Sequence, residues 1–305
     1  MATIIHIGGN KSGSTSLQRR LFSKHPHIRY LGEDCERYSE LKPLLDSLVA
    51  DDDSYYDLTQ TKDVFSKRFG VENGARTCVF SNEDIMTSSI PSVCAARLRV
   101  LMPDAQIVMV IRNQLTAWPS WYANHGAYLK NVPPRYWKRH VTLNEWLDYC
   151  FNFPKDTPVE AMNYERFLKI FQREFPGSQI QVLLYEDLVN KPAEYYKQWA
   201  TLLDISDEDV LSYMSNHAER RRYSGRRMLY DRWVSRLSSI PGFKDFQTAL
   251  HHSIPGVNGW LNSGPPAKIE LPEMWKHRIS DYYGRTNASV KEITGLDLAR
   301  YGYPL

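Results

Sequence analysis

The chain has 305 residues, 42% of them hydrophobic, which is enough for one large α/β domain with a sizeable core. A formal net charge of +3 is too small to signal nucleic-acid binding, and no stretch approaches the roughly 18 consecutive apolar residues of a membrane span. Cys35, Cys78, Cys94 and Cys150 stand apart with no C-x-x-C pair, which argues against a zinc site and a disulfide framework.

Residues 3–8 form a short apolar run rich in β-branched side chains and read as a strand. The run breaks at Gly8-Gly9. Lys11, Ser12, Gly13, Ser14, Thr15 and Ser16 follow, and a helical pattern covers 14–24. A strand, a small-residue loop and a helix in that order build an anion cradle. Main-chain N–H groups of the loop and the first helical turn converge, and the helix dipole favours negative charge there. Lys11 adds a positive charge and the hydroxyls add donors, so a phosphate or sulfate ester is the expected ligand. The nucleoside-triphosphatase loop puts its lysine after the last glycine, as G-K-[ST]. Here Lys11 precedes Gly13 and no G-K-[ST] follows.

The segment 29–74 is polar, with three aspartates at 51–53, and reads as a helical insertion near an acceptor site or as a solvated acidic surface. Residues 76–81 and 106–111 read as buried strands. The first leads into Glu83, and a carboxylate just past a strand end is a candidate general base. The second ends at Arg112, whose planar fork suits a terminal phosphate. Helical patterns at 91–102 and 115–123 follow these strands, the latter carrying Ser120, with His125 just beyond. The stretch 129–140 mixes bases with aromatics, as an anion-holding wall or an exposed loop. Further helices are predicted at 142–151, 162–175, 193–203 and 273–284. In 162–175 the stripe Tyr164, Phe167, Leu168, Phe171, Phe175 marks a core face. A fourth strand at 179–185 leads into Glu186 and Asp187, which are expected to orient loop residues. Residues 220–227 hold the densest basic cluster, and the Pro- and Gly-bearing stretch 240–268 reads as a long loop or lid. His6, inside the first strand, is expected to be a core histidine. Strands alternating with helices predict a parallel sheet covered on both faces, with ligands beyond the carboxyl ends of its strands. Lys11, Glu83, Arg112 and Glu186 all stand at such ends.

Lys11-Ser-Gly-Ser-Thr-Ser-Leu17 resembles the 5′-phosphosulfate loop of sulfotransferases that use 3′-phosphoadenosine 5′-phosphosulfate. Arg112 at a strand end and Ser120 on the next helix resemble that family's 3′-phosphate element. Residues 180–188, ending in Tyr-Glu-Asp-Leu, resemble its late strand, and 281–287 and 301–305 look like the tail of bacterial members. Many members have a proline after Arg-Asn; Gln114 stands there in this chain, as in one bacterial branch. The resemblance implies a P-loop-like parallel sheet flanked by helices on both faces, in a single domain over 1–305 with 29–74 and 240–268 as insertions. It implies a sulfuryl transfer to a hydroxyl of a carbohydrate or small metabolite, leaving 3′,5′-ADP. Lys11 would stabilise the leaving oxygen, and Lys11 to Ser16, Arg112 and Ser120 would hold the cofactor. Glu83, in a Ser-x-Glu like that of bacterial members, would be the base, with His125 its rival. Arg226 and Arg227 would belong to the loop that closes over the 3′-phosphate and adenine. No metal, nucleic acid or membrane span is expected. The start of the chain resembles neither a signal peptide nor the anchored Golgi relatives, so a cytoplasmic bacterial or phage enzyme is expected. The alternatives are a P-loop kinase, which would need magnesium and a G-K-[ST] element, and a nucleotide-binding protein of the same fold without turnover.

Overall fold

The computed structural model describes residues 2–9, 11–33, 35, 37–69, 77–123, 141–155, 157–215, 224–237 and 256–305. His125, the segment 129–140 and the arginines 220–222 lie outside them. The chain divides into two compact units, Met1–Gln114 with Pro154–Asn216 and His277–Leu305, and Leu115–Phe153 with His217–Lys276.

The first unit is built on five parallel strands: β1 (Ala2–Gly8), β2 (Ile28–Gly32), β3 (Thr77–Ser81), β4 (Gln106–Ile111) and β5 (Ile180–Leu184), in the order β2-β3-β1-β4-β5. β1 is central. Its Ile4, Ile5, His6 and Ile7 are fully buried, as are Ile107 to Ile111 of β4. Strands buried on both faces read as continuous apolar runs, which is why these two were visible in the sequence. The chain moves from β1 to the β2–β3 side, then returns to the other side for β4 and β5. The carboxyl ends of β1 and β4 therefore flank the topological switch point, where ligands of such sheets sit.

The edge strand β2 falls inside the segment read as an insertion. Ile28-Arg-Tyr-Leu-Gly pairs with β3 from Ile28↔Thr77 to Gly32↔Ser81. An edge strand needs only one partner, and Arg29 interrupts its apolar run, so it gives little signal. The helices Tyr38–Ser47 and Leu58–Phe69 do lie in the segment. Its acidic centre is fastened from beneath. Buried Arg97 donates to the carbonyls of Ser47, Leu48 and Ala50 at 3.0, 3.0 and 2.9 Å and to Asp53 at 2.6 Å.

The predicted helices appear near their places, and Tyr164, Phe167, Leu168, Phe171 and Phe175 are buried as their spacing requires. The last helix is much longer than expected, Glu273–Thr294, and stops at Gly295 (φ 69°), whose N–H bonds Lys291 O. Gly284, where the predicted helix ended, lies inside it, in contact distance of the Leu305 main chain. The second unit holds an aromatic cluster. Trp118 meets Trp146 and Phe151 at ring separations of 5.4 and 5.3 Å, and Phe151 meets Trp275 at 5.5 Å. In the stretch read as a long loop, Val257–Leu261 is a short helix. Among the described residues, no helix is long and apolar enough to cross a membrane.

Candidate functional site

β1 ends at Gly8, and Gly9 N–H bonds Val110 O of β4 at 3.0 Å. The chain then turns through left-handed backbone at Lys11 (φ 70°) and Gly13 (φ 87°) and enters helix at Ser14–Ser16. A non-glycine residue in that region is uncommon and costs some backbone strain. Ser12 is buried; its N–H bonds Gly9 O at 3.0 Å and its hydroxyl donates to the same carbonyl. The Ser12 and Ser14 hydroxyl oxygens lie 3.4 Å apart. Gly8 is required by close approach, since a Cβ there would lie 1.9 Å from Ser14 Oγ. Gly13 packs less tightly, and a Cβ there would lie 2.9 Å from the end of the Leu188 side chain. The first-turn N–H groups of a helix have no partner within it, and Ser14 and Thr15 hold that place. The helix continues as a π segment, Leu17–Phe22, closed by Ser23 N–H on Gln18 O at 3.0 Å.

Arg112, at the end of β4, reaches across the switch point. Its Nη1 donates to Lys11 O at 2.7 Å, and its guanidinium lies 4.4 Å from the centre of the Tyr185 ring. Its main chain is held by Tyr164, whose hydroxyl donates to Arg112 O at 2.7 Å. The loop carrying Lys11 and the strand end carrying Arg112 are thus one structure. Asn113 donates its N–H to Glu186 Oε1 at 2.9 Å and its side-chain amide to Tyr301 O at 2.8 Å. Tyr303 donates to Glu186 Oε2 at 2.8 Å, and Tyr301 donates to Asp187. Burial pushes the Glu186 carboxyl above its usual range, against the pull of Asn113 N–H and the Tyr303 hydroxyl. Glu186 and Asp187 orient the loop and tail around them, as the sequence suggested. The hold of the tail on the β4 and β5 ends was not foreseen.

Glu83 opens a 3₁₀ turn, Glu83–Met86, directly after β3, with Asn82 Oδ1 capping Asp84 N at 2.8 Å. Met86 of that turn lies beside the cradle, 3.7 Å from where a Gly9 Cβ would stand. Glu83 lines a cleft of about 160 Å³ together with Gln18, Glu33, Asp46 and Asp84. Behind it runs a buried polar chain. Gln18 Nε2 donates to Ser81 Oγ at 3.0 Å, and Ser81 Oγ lies 2.8 Å from His6 Nδ1. His6 is fully buried between Phe22 and Trp199, and burial drives its pKa down from 6.5 to about 3, so it is the neutral core histidine expected.

Ser120, Arg226 and Arg227 belong to the second unit. Ser120 is half-buried in the last turn of the helix Gln114–Trp121. Arg226 donates to Ser263 Oγ at 3.0 Å with its guanidinium 5.0 Å from the centre of the Trp260 ring, and Arg227 pairs with Asp231 at 3.1 Å. Both arginines therefore have protein partners within their own unit. Among the described residues, no group of three or more His, Cys, Asp or Glu is placed to hold a metal ion.

No family model and no curated protein matches the chain. Solved structures do. A sulfotransferase from Alicyclobacillus acidocaldarius aligns over 99% of this chain and 98% of its own, at 14% identity and a TM-score of 0.59. The sulfotransferase domain of an olefin synthase from Synechococcus PCC 7002 covers 95% of this chain and 94% of its own, at 14% identity and a TM-score of 0.42. A sulfotransferase from Mycobacterium tuberculosis covers 78% and 75%, at 14% identity and a TM-score of 0.40. The first of these shows that the chain has the sulfotransferase fold, over essentially its whole length; nothing further rests on the other two.

Proposed function

We propose that the chain is a sulfotransferase that moves the sulfuryl group of 3′-phosphoadenosine 5′-phosphosulfate to a hydroxyl acceptor. The observation that carries this reading is the 11–16 cradle at the end of β1, bonded to Arg112 of β4 on a fold shared with a sulfotransferase. The residues fit the donor. Gly8 and Gly13 keep the turn free of side chains at those two positions, and the residue set offers one lysine, four hydroxyls and an arginine. When bound, the donor would supply an activated sulfuryl group on a phosphate leaving group. Lys11 would stabilise charge on that leaving oxygen. Arg112, fixed by Tyr164 and Lys11 O, would grip the 3′-phosphate. Glu83 would take the proton of the acceptor hydroxyl as its oxygen bonds to sulfur. Ser120, Arg226 and Arg227 stay assigned to the donor on sequence resemblance alone. The same resemblance motivates one sulfotransferase domain over 1–305 and a cytoplasmic site of action.

The test is calorimetry with 3′,5′-ADP and 5′-AMP on the wild type and on Arg112→Ala. The variant should lose about 10–100-fold for 3′,5′-ADP, the worth of a charged hydrogen bond, and far less for 5′-AMP. Equal losses would remove Arg112 from the 3′-phosphate, and wild-type preference for ATP with magnesium would favour the kinase reading.

A further inference from the structure

The carboxyl end of β4 is held at three successive residues, each by a different part of the first unit. The Tyr164 hydroxyl donates to Arg112 O at 2.7 Å. Asn113 gives its N–H to Glu186 Oε1 at 2.9 Å and its side-chain amide to Tyr301 O at 2.8 Å. Gln114 donates to Asn287 Oδ1 at 3.0 Å, and Asn287 donates to Pro304 O at 2.9 Å. The holds on Asn113 and Gln114 thus run to residues 301–304, which reach this strand end only through the tertiary fold.

The segment arrives by a specific turn. Leu298 is buried, and the N–H groups of Tyr301 and Tyr303 both bond its carbonyl at 3.2 Å. Gly302 stands between them in left-handed backbone (φ 65°). Tyr303 is 4% exposed and donates its hydroxyl to Glu186 Oε2 at 2.8 Å. Burial and the adjoining Glu186 carboxylate hold this phenol well above its usual range, so it remains a donor. Tyr301 donates to Asp187 from the same turn. Glu186 is therefore engaged at both oxygens, one by the end of β4 and one by the segment. Its chain neighbour Tyr185 carries the ring against which the Arg112 guanidinium rests, 4.4 Å from the ring centre. Fixing Glu186 fixes both the main chain next to Arg112 and the ring beside its side chain.

We infer that residues 301–303 form a strap that positions the Arg112 guanidinium, with Tyr303 and Glu186 as its fastening pair, and that discrimination in favour of a 3′-phosphate depends on this strap. The inference rests on the sulfotransferase reading, in which Arg112 holds that phosphate. A planar guanidinium takes a phosphate by two parallel hydrogen bonds, an arrangement that tolerates little rotation. Loosening the strand end therefore weakens the grip on the 3′-phosphate and spares the 5′ side, which belongs to the cradle. Tyr303 and Glu186 act through Arg112 and are positioning residues.

The experiment is calorimetry with 3′,5′-ADP and 5′-AMP on the wild type, Tyr303→Phe, Arg112→Ala and the double variant. Tyr303→Phe keeps the ring in the core and removes only the hydroxyl. It should lower the ratio of 3′,5′-ADP to 5′-AMP affinity by about 3–30-fold, the range for residues coupled in one hydrogen-bond network. In the Arg112→Ala background it should lower that ratio no further. Tyr301→Phe, at a partly exposed position, should act in the same direction and serves if Tyr303→Phe does not fold. A ratio unchanged in Tyr303→Phe and Tyr301→Phe, as a merely structural role would leave it, overturns the inference, and so does a further loss in the double variant. The Arg112 Nε–H resonance of the isotope-labelled protein, identified by its loss in Arg112→Ala, reads the guanidinium without any ligand. It should shift or broaden in Tyr303→Phe, and an unmoved resonance overturns the inference as well. A wild type with equal affinity for the two nucleotides instead removes the 3′-phosphate from Arg112, and the resonance still decides whether the strap positions this side chain.

Discussion

Gly8 shows how much of the proposed site depends on a missing side chain. A methyl there would stand 1.9 Å from Ser14 Oγ, with His6 Nε2 at 3.0 Å behind it. Both neighbours are buried, so the Ser14 hydroxyl would have to rotate into packed surroundings to make room. Gly8→Ala should therefore cost about 1–3 kcal/mol of stability through overpacking and weaken 3′,5′-ADP more than any exposed substitution does. Denaturant unfolding and calorimetry would check both, and an alanine variant with normal ligand affinity would show that the cradle is not built on that contact. Lys11 and Glu83 separate differently. Lys11→Ala should lower kcat by about 10²–10³-fold with a smaller loss of 3′,5′-ADP affinity. Glu83→Gln should lower kcat by about 10²–10⁴-fold, leave that affinity unchanged and remove the acidic limb of the pH–rate profile. A Glu83→Gln enzyme with near-normal turnover, beside a dead His125→Ala, would move the base to His125.

Among the elements, the helix Gln114–Trp121 carries the plainest departure from the pattern that the sequence resembles. Its first residue is a position where proline is favoured for its fixed φ and missing N–H, and many sulfotransferases have proline there. Gln114 uses the position for a different purpose. Its Nε2 donates to Asn287 Oδ1 at 3.0 Å and to Met162 O at 3.2 Å, and Asn287 returns a bond to Gln114 Oε1 at 3.0 Å and donates to Pro304 O at 2.9 Å. All of this is buried. Asn287→Ala should cost about 1–3 kcal/mol for each buried polar group left unsatisfied, and a double-mutant cycle with Gln114→Ala should show coupling of about 0.5–3 kcal/mol. Additive losses would mean the pair is incidental. Elements with strong local signals were legible in the sequence. β1, β3, β4 and β5 are short apolar runs, and the cradle has a distinctive order of lysine, glycine and hydroxyls. β2 was not legible because Arg29 interrupts a run of only five residues. The acidic cleft was not legible either, since Gln18, Glu33, Asp46 and Glu83 are far apart in the chain. The tail's part was hidden for the same reason: Tyr301 and Tyr303 meet Asp187 and Glu186 only after the sheet has formed.

For the whole molecule, buried His6 sets an acid limit. Its pKa falls from 6.5 unfolded to about 3 folded, through burial. The unfolded chain therefore takes up this proton first as pH drops. The stability present above pH 6.5 should decline between 6.5 and about 3, by about 1.4 kcal/mol per pH unit from this group. His6→Phe should flatten that slope by close to one proton, although it forfeits the Ser81 bond and is less stable at neutral pH. Unfolding curves at several pH values would measure it, and identical slopes would mean that His6 is not the group that titrates.

The bonds made by residues 301–305 have a temporal meaning as well as a spatial one. Asn113 at the end of β4 and Glu186 at the end of β5 are held by Tyr301 and Tyr303, and Asn287 by Pro304. These five residues are synthesised after every other part of the first unit. The strands of the sheet thus leave the ribosome before the residues that fasten the ends of β4 and β5, and a nascent chain halted before Tyr301 would carry those two ends unfastened.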